Sequence, residues 1–141
     1  MTSSTRFAFV ATALVLLIGL AACQKGETKA TLAERVAKYW ELKQSKSWDE
    51  VYASYVDPNS KETLPKEAFL KTRRLAFDIL SYEIGQLAAE GQGDKVVVVV
   101  ENEVNFPLRE PDGAMRFIKK RVTTSDTWIR REGTWYVTVE K

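Results

Sequence analysis

The chain has no histidine and one cysteine in its 141 residues. Without histidine there is no His-based triad and no His-containing zinc site, and the side chain that ordinarily titrates near neutral pH is missing. A single cysteine cannot close an internal disulfide, so a folded domain here must rest on its core. The seven glycines make no phosphate-cradling loop, and the acidic residues do not follow calcium-loop spacing. The longest apolar run, residues 7–20, is shorter than the roughly 20 residues a bilayer-spanning helix needs. An excess of one charge is also lacking: 21 basic residues face 19 acidic ones, a net charge of +2. Nucleic acid, which calls for a strongly basic face, is therefore not an expected partner. No metal or cofactor is expected, and no catalytic residue is assigned. Any acid–base chemistry would fall to Asp, Glu, Tyr or Lys.

What is present begins with the amino-terminal segment. Arg6 precedes the apolar run, and the run ends in Leu20, Ala21, Ala22 and Cys23. This arrangement resembles the lipobox of a bacterial lipoprotein signal peptide. The resemblance implies removal of residues 1–22 and lipid attachment at Cys23. Arg6 is the only charged residue lost with that segment, which leaves 20 basic against 19 acidic residues. Two or more acyl chains, at about 0.8 kcal/mol per buried methylene, hold a protein at a membrane without basic charge. In the enterobacterial sorting pattern that this resembles, Gln24 in place of Asp points to the periplasmic face of the outer membrane. Residues 23–30 read as a lipidated polar tether, and residues 31–141 as a single domain.

Thr31, Leu32, Ala33 and Glu34 fit a capping box that opens a helix with Leu32, Val36, Tyr39 and Trp40 on one face. Glu34 and Lys38 have the spacing of a favourable helical ion pair. Ser47 to Glu50 has the form of a second capping box, for a short helix carrying Val51, Tyr52 and Tyr55 and stopped by Asp57 and Pro58. Residues 60–64 read as a turn, and Pro65 as the start of a third helix holding Phe69 and Leu70. From residue 79 the pattern turns to strands, expected at 79–88, 95–106, 115–131 and 134–140. They are separated by turn signals at residues 91–94, 107–113 and 132–133. Helices followed by an antiparallel meander imply an α+β fold, with three helices packed on a curved sheet of about four strands.

The order of elements, closing in Trp128, Ile129, Arg130, Arg131, Glu132, Gly133, Thr134, Trp135 and Tyr136, resembles the cone-shaped fold of the nuclear transport factor and ketosteroid isomerase superfamily. Small secreted and lipoprotein members often close with such a Trp-rich hairpin. The resemblance covers roughly residues 31–141 and implies a helix-lined sheet with a cavity at its open end. It implies no reaction, because the fold hosts enzymes and binding modules alike.

If Glu132 and Gly133 form a two-residue turn, Trp128 pairs with Val137, and Asp126, Trp128, Trp135, Val137 and Val139 share a face. Asp126 would then be a carboxylate at a cavity wall, its pKa raised by burial; a bulge between Thr123 and Asp126 would instead leave it in water. Tyr39, Trp40, Trp128 and Trp135 are candidate pocket residues beside Asp126, although such aromatics also build ordinary cores. The basic clusters Lys71/Arg73/Arg74, Lys119/Lys120/Arg121 and Arg130/Arg131 read as solvated faces or as contacts for anionic lipid or glycan. The five valines at 96–100 give two apolar faces. One would meet the helices; the other would be covered by a second copy, an envelope protein partner or long neighbouring side chains.

These features point to a membrane-anchored periplasmic lipoprotein that is not an enzyme and binds a small apolar ligand or a partner protein. The alternatives are an envelope assembly or scaffolding subunit without a pocket, and an enzyme using carboxylate and tyrosine chemistry in the same cavity. The lipobox reading has a direct consequence. Cys23→Ser should abolish lipid attachment and leave unprocessed precursor or a soluble form. Wild-type protein that partitions into the aqueous phase of a detergent phase separation would overturn that reading.

Overall fold

Thr31 is extended, and its side chain accepts from the Glu34 amide at 3.3 Å while the Glu34 carboxylate accepts from the Thr31 amide at 2.7 Å. This reciprocal cap starts α1, Leu32–Gln44. The structure is a computed structural model, and it describes residues 30–74, 76–89 and 93–139. The leader, Cys23 and most of the tether lie outside the described residues, as do Gly91 and Gln92 of one expected turn. With Glu34 engaged in the cap, Lys38 pairs with Glu41 at 2.7 Å instead.

The next stretch departs from the sequence expectation in two places. α2, Trp48–Ser54, begins without a side-chain cap, and the Ser47 hydroxyl meets the Ser45 hydroxyl at 3.0 Å. Asp57 and Pro58 do not simply stop the chain. Asp57 caps a further helix, α3, Pro58–Thr63, by accepting from the Ser60 amide at 3.3 Å. Proline at the first helical position has no amide to leave unpaired and a φ already suited to a helix. The other Asp57 oxygen accepts from Arg131 Nε at 2.6 Å, tying this corner to the sheet. α4, Lys66–Arg73, follows Pro65. The described residues thus hold four helices where three were expected.

β1 (Asp78–Ala89), β2 (Lys95–Arg109), β3 (Met115–Arg131) and β4 (Thr134–Val137) form one antiparallel sheet in chain order. β2 is three residues longer than expected and β4 is shorter. At the end of α2 the chain runs beside β4, with Val56 bridging Val137, so the sheet's short edge is covered. The β1–β2 register shifts between Ile84 and Leu87. Here Gly85 lets the strands approach closely, since a Cβ would sit 3.0 Å from the Val99 carbonyl oxygen.

Alternation along β2 sends Val96, Val98, Val100, Asn102 and Val104 inward, all buried. Val97 and Val99 are half-buried on the outer face. The core joins these valines to Trp128 and Val137 from the sheet, and to Val36, Tyr39, Trp40, Val51, Val56 and Phe69 from the helical layer. Trp128 has no exposed surface and packs edge-on against Tyr39 at 5.3 Å between ring centres. Trp135 is only half-buried, under the Arg130 guanidinium. Trp128→Ala should therefore cost about 3–5 kcal/mol, the range for emptying a large aromatic site. Trp135→Ala should cost clearly less. The urea midpoints of the two variants check this order, and equal shifts would refute it.

Candidate functional site

The alternation that builds the core runs on past it. Beyond Val100, the inward positions of β2 are Asn102 and Val104, and those of β3 beyond Trp128 are Asp126, Thr124 and Val122. No bulge interrupts β3 between Thr123 and Asp126, so Asp126 takes the inward position. From the opposite side α1 presents Tyr39, Trp40 and Lys43. Between them lies an open-mouthed cavity of about 610 Å³, completed by Trp48, Arg73, Ala76, Phe77 and Ile79 and by Thr138 and Val139 near the carboxyl end.

Trp40 organises the polar end of this cavity. Its indole N–H donates to an Asp126 carboxylate oxygen at 3.1 Å, and Lys43 Nζ sits 3.6 Å from the centre of its ring. One side chain therefore engages an anion at its edge and a cation at its face, as the ring's charge distribution favours. Lys43 is also 5.0 Å from the Tyr39 ring centre. Asn102 Nδ2 donates to Thr124 Oγ1 at 3.0 Å across the floor.

Burial disfavours the charged forms of Lys43, Asp126 and Tyr39. It lowers Lys43 to about 8; the Asp126 charge opposes the fall, and Arg73 adds to it. Burial raises Asp126 above the usual carboxylate value, against the pull of Lys43, the Trp40 hydrogen bond and Arg73. Tyr39 is pushed up, by burial first and by the Asp126 charge second.

Of the residues singled out from sequence, Tyr39, Trp40 and Asp126 line the cavity together. Trp128 and Trp135 do not. Trp128 belongs to the closed core beneath it, where its indole nitrogen is buried without a hydrogen-bond partner among the described residues. The Trp135 carbonyl accepts from Arg35 Nε at 3.0 Å, away from the cavity. Lys43 and Arg73 are functional candidates that the sequence reading did not bring to the site. Lys43 follows Tyr39 and Trp40 by four and three residues, a spacing that puts it on their face. Arg73 was grouped with Lys71 and Arg74, yet those two are exposed while Arg73 is half-buried in the cavity wall, its guanidinium 5.1 Å from the Phe69 ring centre.

No family model matches this chain, and no curated protein does. Solved structures do match. A SEC-C motif-containing protein from Rhodopseudomonas palustris superposes with a TM-score of 0.52 at 12% identity, over 75% of this chain and 73% of that one. A protein described as an NTF2-like transpeptidase from Campylobacter jejuni gives 0.52 at 10% identity, over 78% of this chain and all of the other. A second SEC-C motif-containing protein, from Psychrobacter arcticus, gives 0.52 at 12% identity, with 77% of this chain matching 59% of that one. The fold is NTF2-like. At such identities the likeness establishes architecture and no activity.

The electrostatics have a measurable consequence. Lys43 titrates below its ordinary 10.5, so between about 8 and 10.5 the unfolded chain binds more protons at this site than the folded one. Its contribution to stability therefore rises with pH across that window. Asp126 has the opposite sign: its contribution falls as pH climbs from the ordinary 3.8 through the raised value. Methyl-lysine NMR should show one lysine titrating near 8, and in Asp126→Asn that lysine should titrate lower still. An unmoved titration would show that the two charges do not interact.

Proposed function

We propose that this domain is a non-enzymatic binding module that holds a small, largely apolar molecule in the cavity between α1 and the sheet, and that a lipid on Cys23 anchors it in the cell envelope. The observation that carries the reading is the cavity itself. Val104, Val122, Ile79, Phe77 and Val139 supply apolar walls, and a few polar groups converge at one end. That combination is what small-molecule sites present. An open cavity also favours binding over a scaffold with a filled core.

One observation favours a second reading. Asp126 and Lys43 occupy the same cavity with pKa values pushed toward each other, as acid–base pairs in enzymes often are. Binding remains the better reading because the Asp126 carboxylate is already held by Trp40.

The test is a compact photoreactive probe, a phenyl diazirine, applied to membranes carrying the full chain. Label should concentrate on peptides containing Tyr39–Lys43 and Val122–Asp126. Ala76→Trp, which fills the mouth, should reduce it about tenfold, the loss expected for roughly 1.4 kcal/mol of binding. Label spread evenly over the surface, unchanged by Ala76→Trp, would overturn the proposal.

A further inference from the structure

The apolar wall does not end at the cavity mouth. Val104 and Val122 line the cavity, so residues two and four further along each strand stand on the same face. On β2 these are Phe106 and Leu108; on β3 they are Lys120 and Ile118. Two contacts confirm the placement. Phe77, itself a lining residue, packs on Phe106 at 5.0 Å between ring centres, and Lys120 Nζ lies 5.2 Å from the Phe106 ring. The strip is left open: Phe77 is 44% exposed and Ile118 36% exposed. Met115 and Phe117 are also exposed, but they alternate to the opposite face and take no part.

The other end of the strip is charged. Among the described lining residues the ionic groups are Lys43, Arg73 and Asp126, two cations against one carboxylate. Neither cation has a carboxylate within ion-pair distance among the described residues; each lies over an aromatic ring instead. One further negative charge would balance the set. A long, largely apolar strip, interrupted by Lys120 with its ammonium over the Phe106 ring, leads from an under-neutralised cationic end, and that combination fits one class of molecule.

The geometry points to a single-chain amphiphile with one negative charge in its head as the ligand, the head lying between Lys43 and Arg73 and the hydrocarbon chain running past Val104 and Val122 onto Phe106 and Ile118. This rests on the cavity being a binding site, and it adds charge and length to that reading. Extended strands advance about 3.3 Å per residue, so the path from Asp126 to Ile118 spans roughly 25 Å, room for a long acyl chain. A compact apolar ligand would leave both the strip and the surplus cation unused.

The test uses the full chain in membrane vesicles. Palmitate carrying a mid-chain diazirine is compared with the uncharged palmityl alcohol bearing the same group. Adducts from palmitate should map to peptides spanning residues 104–108 and 116–122, and the alcohol should label them about tenfold less, the weight of a charge-assisted contact. Arg73→Gln should bring palmitate down to the level of the alcohol. Ile118→Asp, at an exposed position, should reduce labelling by both. Excess unlabelled palmitate or palmitoyl lysophosphatidylglycerol should compete, and the stronger competitor distinguishes a carboxylate head from a phosphate head. Equal labelling by acid and alcohol, or no competition by either lipid, would overturn the inference. If the compact phenyl diazirine still labels the cavity in that case, the binding reading stands and only the amphiphile is wrong. If neither probe labels it, both fall.

Discussion

Everything at the site depends on one constraint, the unbroken pairing of β2 with β3. All 15 residues of β2 find a partner on β3, from Lys95 opposite Ile129 to Arg109 opposite Met115, with no shift of register. Side chains in a strand alternate with a period of two, so a single slip would turn every inward residue outward. The same ladder that seats Trp128 beside Val96 therefore also turns Asp126, Thr124 and Val122 toward the helices. Core and cavity are two stretches of one register. The neighbouring β1–β2 pairing is looser, with two shifts, and contributes only Ile79 to the cavity wall.

A cavity forms where it does because the inward residues change in kind along that ladder. From Val96 to Val100 they are valines facing the aromatic rings of α1 and α2, and the space is filled. On β3 the inward residues opposite Val98 and Val100 are already polar, Asp126 and Thr124, and past Val100 Asn102 donates to Thr124 across the floor. α1 ends at Gln44, whose side-chain amide donates to the Ile79 and Leu80 carbonyls and closes the helix against β1. Beyond that point Arg73 at the end of α4 and Ala76 and Phe77 in the chain leading into β1 line the cavity. A protein interior normally packs to crystal-like density, so an unfilled wall of this length reflects the choice of residues more than loose packing.

How much of this could be read from the sequence follows from the range of the interactions involved. The Thr31 cap was legible because its two hydrogen bonds join residues three apart. The closing hairpin was legible because Glu132 and Gly133 both have positive φ, which fixed Arg131 opposite Thr134 and hence Trp128 opposite Val137. The second cap was misread because Ser47 found a nearer partner in Ser45. Pro58 was read as a stop because proline disfavours the helix behind it, while the helix ahead depends on Asp57, which is itself held by Arg131 74 positions away. Trp135 shares a face with Trp128 by register, but it lies toward the end of that face, under Arg130 rather than under the helices. Period alone tells which side a residue is on and not what covers it.

The polar end of the cavity depends least on local pattern. Lys43, Asp126 and Arg73 come from α1, β3 and α4, and no spacing in the chain links them. Trp40 joins the first two, its edge holding the carboxylate and its face the ammonium, while Arg73 lies over the Phe69 ring. Desolvation lowers Lys43 and raises Asp126, and each of these two charges partly offsets the penalty on the other. Replacing such buried charges by a well-packed apolar pair is often neutral or stabilising for a fold. Trp40 and Trp128 show the contrast. Both are almost completely buried, yet among the described residues only the Trp40 N–H is matched to a partner, and that partner is the carboxylate at the cavity wall. On the binding reading proposed above, the charges at this end serve the open space in front of them rather than the core behind them.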